Sequence, residues 1–408
     1  MGCEFRSTKS AGMQQQLEPL TSIRFLFAMI VVLFHGLEPR PDTLDVFPGL
    51  LKTVIAHGYV GVSFFFVLSG FILAYSYAGR IRQPSDEAAF WWARAARILP
   101  AYFLAFLVYL PFAIIAVVIA EAPRLAALNA LIIASLQLTL TQAWAPGAAL
   151  AWNSPAWSLS VEACFYALFP MLLPRLEKAS SRALVILAIV SYALSQLAAL
   201  MILKIGPSNV ARVLVDVTQF PSQNPAAYNL FYMYFPLFRI PEFLFGAAVG
   251  VLFVRRRPMT QLARRICLAL GSFGLIAGFT VFDGCVPSPM FSNGIFAPFL
   301  IMVLIGLARS PSRVWSHPLL VRLGDASYSL YLLHIPIFLW VSAIDRKSFQ
   351  LQEHSFGVFL TAYLVIAIGA SLISLAYIEQ PCRQIIRRRF APTLSKPLVA
   401  EPDFAGAL

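Results

Sequence analysis

Apolar residues arrive along this chain in long blocks, near 20–38, 58–78, 99–120, 157–174, 183–204, 231–254, 266–284, 291–308, 326–344 and 357–379. Each block approaches the roughly 20 residues that an α-helix needs to cross a bilayer. A transmembrane β-barrel would instead show segments of about ten residues with alternating polarity. The pattern predicts an all-α, polytopic membrane protein with ten spanning helices. One further apolar block, 125–143, is ambiguous, and the basic residues arbitrate. Segments 80–97, 175–182, 255–265, 309–322 and 383–396 hold twenty of the 31 Lys and Arg, and the other connections hold few. Rich and poor segments alternate if both termini are cytosolic and ten helices span. The alternation fails if 125–143 also crosses. That block is therefore expected to be a re-entrant or interfacial helix on the outer side, leading into the aromatic loop Trp144 to Trp157.

Composition agrees with this reading: 59% of the 408 residues are hydrophobic and 12% are charged. The net charge of +12 follows from the positive-inside bias and calls for no nucleic-acid partner. The expected organisation is a cytosolic N-terminal segment 1–19, one integral-membrane domain 20–380, and a basic cytosolic tail 381–408, disordered after Arg389. The first block carries Arg24 and no small-residue cleavage site, so it reads as a retained span and not a signal peptide. The five cysteines have no metal-like spacing, and no disulfide framework is expected. Met-Gly-Cys at the start is no myristoylation signal, because position 6 is Arg. No internal repeat is visible.

The polar residues inside the spans carry the chemistry, since a charge there costs about 2.5–3.5 kcal/mol on insertion scales. Arg24 and His35 lie eleven residues apart in the first span. That is close to three helical turns, so both project from nearly one side, roughly 16 Å apart along the axis. Arg94 and Arg97 share a helical face beside Trp91 and Trp92. They can grip a phosphate-bearing ligand or simply anchor the helix at the interface. Glu162 sits about as deep from the outer side as His35, and the two could pair, or Glu162 could bond to backbone and Trp donors. Arg239 and Glu242, at i and i+3, suit a neutralising structural pair. His334 lies mid-span and reads first as a hydrogen-bonded packing residue, with a supporting polar role as the alternative. Glu379, before Pro381, is expected to stabilise the end of the last span. His57, His317 and His354 receive no role.

Several of these stretches together resemble a known family, the acyltransferase family 3 integral-membrane O-acyltransferases. The resemblance covers nearly all of 15–390. It rests on Arg24-x10-His35, GVSFFFVLSGF at 61–71, Arg94-x-x-Arg97 followed by ILPAY, WSLSVE ending at Glu162, RIPEFLFG at 239–246, SYSLYLLH at 327–334 and IEQP at 378–381. It implies transfer of an acyl group, usually acetyl from acetyl-CoA, to a hydroxyl of a surface or exported carbohydrate, with no metal. It also implies a multi-pass protein of the plasma (inner) membrane with an acyl-CoA donor and a carbohydrate or glycolipid acceptor. His35 matches the family's essential histidine, and Arg24, Arg94 and Arg97 match arginines linked to donor binding. Many relatives have Asp where this chain has Ser63, so no acidic role is carried over there.

A sugar hydroxyl is a poor nucleophile, and an imidazole is suited to removing its proton at neutral pH. On this reading His35 takes the proton while Glu162 orients it, or His35 itself carries the acyl group. The competing reading is a transporter or flippase using the buried Arg, His and Glu as a path, and it would favour duplicated halves.

Overall fold

The computed structural model describes residues 4–38, 40–145, 147–206, 231–256, 259–282, 285–308 and 312–394, with side chains of the first helix described from Glu18 onward. The principal helices are α1 (Glu4–Leu37), α2 (Gly49–Ala56), α3 (Val60–Tyr77), α4 (Pro84–Val118), α5 (Pro123–Leu138), α6 (Trp157–Lys178), α7 (Ser181–Ile205), α8 (Pro236–Arg255), α9 (Gln261–Val281), α10 (Ala297–Leu307), α11 (Pro318–Ser348), α12 (Phe356–Ser374) and α13 (Gln380–Phe390). Among the described residues, ten helices are long and apolar enough to span a membrane. The 16-residue α5 falls short of that length. Its Gln137 is buried and accepts a hydrogen bond from Tyr102 of α4 (2.7 Å to the backbone carbonyl), which ties the helix to the bundle.

Backbone polar groups in lipid must be satisfied within the protein, and the prolines of this bundle show how. A proline removes the hydrogen bond to the carbonyl four residues earlier. Pro336 thus frees the carbonyl of Leu332, and Asn153 donates its amide to it at 2.8 Å. Pro170 frees the carbonyl of Tyr166, which accepts from the Trp91 indole at 3.0 Å. These two bonds draw the aromatic loop onto α11 and α4 onto α6.

Small residues allow helices to touch through their backbones where no aqueous hydrophobic effect drives them together. A Cβ on Gly70 of α3 would stand 2.1 Å from the carbonyl of Phe243 in α8, and one on Gly246 would stand 2.1 Å from that of Val67. Replacing Gly70 with Leu would force these backbones apart and is expected to cost about 1–3 kcal/mol or more by overpacking. The check is the yield of monodisperse protein in detergent, which should fall sharply. Gly324 does the same for α11, since its Cβ would lie 2.0 Å from the carbonyl of Thr21 in α1.

Two boundaries differ from the sequence expectation. The segment around Arg94 is not a separate connection but the first turns of a 35-residue α4. Pro84 stands at its first turn, and Gln83 and Asp86 form a reciprocal capping box that fixes the start there. At the other end, the last span does not stop at 379. Leu375–Glu379 form a π-turn that absorbs Pro381, and α13 continues to Phe390. The tail beyond 394 lies outside the described residues.

Candidate active site

A cavity of about 420 Å³ opens at the Arg-rich end of the bundle. Its lining includes Arg24 of α1, Arg94 and Arg97 of α4, and Arg383 and Arg387 of α13, against the carboxylates Glu162 and Asp325. Positive charge predominates, so the cavity is built for a polyanion.

The local sequence explains each position. Gly324 lets α11 touch α1 beside Thr21, and this brings Asp325 into electrostatic range of Arg24. Arg24 makes no hydrogen bond or ion pair among the described residues. Arg94 donates to the Tyr77 hydroxyl at 3.1 Å and lies within 5.8 Å of the ring centroids of Tyr77, Phe90 and Tyr166. Its Nε is buried and unpartnered. Arg97 lies over Tyr328 at 5.8 Å. Arg383 pairs with Glu379 at 3.6 Å. That carboxylate is buried and also accepts a hydrogen bond from Ser329 at 2.5 Å. Glu379 therefore reaches beyond the stabilising role expected of it, because it holds a cavity arginine in place. Planar guanidiniums held this way suit the bidentate grip of phosphate.

Toward the histidines the cavity is lined by Val62, Phe65, Ser158 and Tyr331, and neither His35 nor His334 lines it. Phe65 and Tyr331 meet edge to face, with centroids 5.9 Å apart. The two histidines stand next to each other beyond Tyr331. His35 Nδ1 lies 3.2 Å from His334 Nε2 and 3.0 Å from the Val31 carbonyl. His334 is fully buried, with Nδ1 at 2.7 Å from the carbonyl of Tyr331.

The pairing of His35 with Glu162 is not formed. Glu162 accepts hydrogen bonds from Tyr166 and, at 3.5 Å, from Ser69, and it faces the cavity arginines. The reason lies in the aromatic loop. Ser158 meets the Tyr331 hydroxyl at 2.9 Å, so α6 starts level with Tyr331 and not at the bundle's rim. Glu162, four residues further on, is about 6 Å deeper still. Counting depth from the first apolar residue placed it too high.

Arg239 and Glu242 form the ion pair expected of them, at 3.0 Å and almost wholly buried. Arg239 also donates to Ser63 (3.0 Å), to Asn293 (2.6 Å) and to the Ser292 carbonyl, and it lies over Phe66. The pair stands outside the cavity lining. Sequence reasoning missed Arg383, Arg387 and Asp325. Arg383 and Arg387 are spaced i, i+4 just past Pro381, a signal that was legible once the helix is continued through the proline.

A family model described as an acyltransferase domain matches residues 20–378. An acyltransferase of Streptomyces mycarofaciens, MdmB, is 25% identical over 410 residues, covering 95% of this chain and 95% of that protein. The O-acetyltransferase OatA of Staphylococcus aureus (strain NCTC 8325 / PS 47) is 24% identical, covering 83% of this chain and 54% of its own length. No solved structure matches. An all-helical membrane bundle with a basic cavity, matched over most of its length by this domain, belongs to acyltransferase family 3, the multi-pass membrane O-acyltransferases.

Proposed function

We propose that this protein transfers an acetyl group from acetyl-CoA, bound from the cytosol, to a hydroxyl of a cell-surface or exported carbohydrate. The membrane is the plasma (inner) membrane, with both termini cytosolic, one integral-membrane domain over 20–380 and Lys- and Arg-rich connections facing in. The observation that carries this reading is the five-arginine cavity leading toward the His35–His334 pair. Arg24, Arg94, Arg97, Arg383 and Arg387 would bind the phosphates of the donor. Glu162, held by Tyr166 and Ser69, would order the arginines around it. The extended pantetheine arm would cover the distance to His35, and its thioester would pass Phe65 and Tyr331. The name of the Staphylococcus relative, an O-acetyltransferase, supports acetyl as the group. A carbohydrate suits a hydroxyl acceptor reached from the far side.

The His35 imidazole would remove the hydroxyl proton as the oxygen attacks the thioester carbonyl, a role worth about 10²–10⁴-fold in rate. The test is transfer of radiolabel from acetyl-CoA to glycan in washed membranes. R383Q and R387Q are each expected to raise the KM for acetyl-CoA roughly 10-fold or more, since a charge-assisted bond is worth about 1.5–3 kcal/mol. A KM equal to wild type in both would remove α13 from the donor site. Acetyl-CoA that is not consumed in the presence of a glycan fraction would sink the reading.

A further inference from the structure

The hydrogen bonds around the two histidines determine which ring nitrogen carries each proton. Tyr331 offers only a carbonyl to His334 Nδ1, at 2.7 Å, so that nitrogen must carry the hydrogen. In the neutral ring His334 Nε2 is then a bare acceptor. It lies 3.2 Å from His35 Nδ1, whose other neighbour is the Val31 carbonyl at 3.0 Å. Two acceptors therefore surround His35 Nδ1, and they require a hydrogen there. The remaining nitrogen of His35, Nε2, is left with its lone pair.

From this we infer that His334 is a positioning residue that holds His35 in the Nδ1–H form and so presents Nε2 as the reacting atom. The inference rests on the reading of His35 as the group that accepts the hydroxyl proton, and it names the atom. The acceptor O–H proton moves to His35 Nε2 as the oxygen–carbon bond forms. The carbon–sulfur bond then breaks, and the same proton passes from Nε2 to the departing thiolate, leaving ester and free thiol. If the acyl group instead rests on His35, it rests on the same Nε2. The hydrogen on Nδ1 remains there throughout, shared between Val31 and His334.

The architecture supports this assignment from outside the pair. The hydroxyl of Tyr363 in α12 donates to the His334 carbonyl at 3.3 Å, and Asn153 donates to the Leu332 carbonyl freed by Pro336. Tyr331 is fixed at its other end by Ser158 and by the Pro155 carbonyl at 3.1 Å. The turn that carries His334 is thereby clamped on both sides, and its ring has one orientation in which both bonds are made.

Three substitutions separate positioning from packing. H334L removes the acceptor. H334N keeps a polar group too short to reach His35, and H334Q places an amide oxygen near the position of Nε2. Label transfer from acetyl-CoA to glycan in membranes is expected to lose roughly 10-fold or more of kcat in H334L and H334N, with KM for acetyl-CoA held, and H334Q is expected to recover most of it. A packing role predicts that H334Q falls with the others, and that result would overturn the inference, as would an H334L enzyme of full kcat. If H35A retains activity, the reading of His35 fails first and this inference falls with it. An inactive H35A beside a fully active H334L leaves that reading standing and removes only His334. Independently of any acceptor, ring-¹⁵N spectra of the purified full chain should show His35, identified by its loss in H35A, with hydrogen on Nδ1. Hydrogen on Nε2 instead would also overturn the inference.

Discussion

His35→Ala is expected to abolish acyl transfer while leaving donor binding intact. Loss of a positioned base removes about 10²–10⁴-fold in rate, and a sugar hydroxyl is a poor nucleophile without one. The arginines that would hold the donor start three helical turns away, roughly 16 Å along α1, so the KM for acetyl-CoA should stay within about twofold. Label transfer in membranes and acetyl-CoA binding to purified protein give the two halves of this result. Transfer by H35A at a tenth of the wild-type rate or better would place the chemistry elsewhere.

Arg239→Met is expected to bring the largest loss of stability. It would leave the Glu242 carboxylate almost wholly buried without its cation. Breaking one side of a buried pair costs about 3–5 kcal/mol, whereas replacing both partners by apolar residues is often nearly neutral. Glu242 cannot turn aside, because Gly294, with φ of +80°, packs its backbone against the carboxylate and a Cβ there would lie 2.5 Å from Oε1. The double variant R239M/E242L should therefore recover much of the heat resistance in detergent that R239M loses. If the double variant proves as fragile as the single, the bonds from Arg239 to Asn293 and Ser292, and not the charge pair, are what hold this region.

The spans were legible because a bilayer imposes length and polarity on every crossing segment. The basic-residue alternation was also enough to keep α5 out of the count of spanning helices, as the structure bears out. Arg239 with Glu242 could be paired from spacing alone, since i, i+3 neighbours share a face wherever the helix goes. Contacts between helices were harder. Glu162 and His35 looked level because depth was counted along each helix separately. A loop that dips into the bundle, as the segment ending at Ser158 does, shifts the zero of that count. His334 belongs beside His35 because Gly324 fixes the docking of α11 on α1, and no pattern within either helix carries that information. Arg383 and Arg387 were assigned to a basic tail because the last apolar block ends at 379, yet a π-turn carries the helix on past Pro381.

The contact of Phe65 with Tyr331 would have a consequence for the cell if the donor takes the proposed path. A water file running from the arginines to the imidazoles would offer protons a leak down the membrane potential and would let the thioester be spent on hydrolysis. In the proposed reaction those two rings would stand between the arginines and the imidazoles, and a substrate arm would have to pass them to reach His35. On the proposed reading, the thioester would have to be seated past Phe65 and Tyr331 before His35 could act on it.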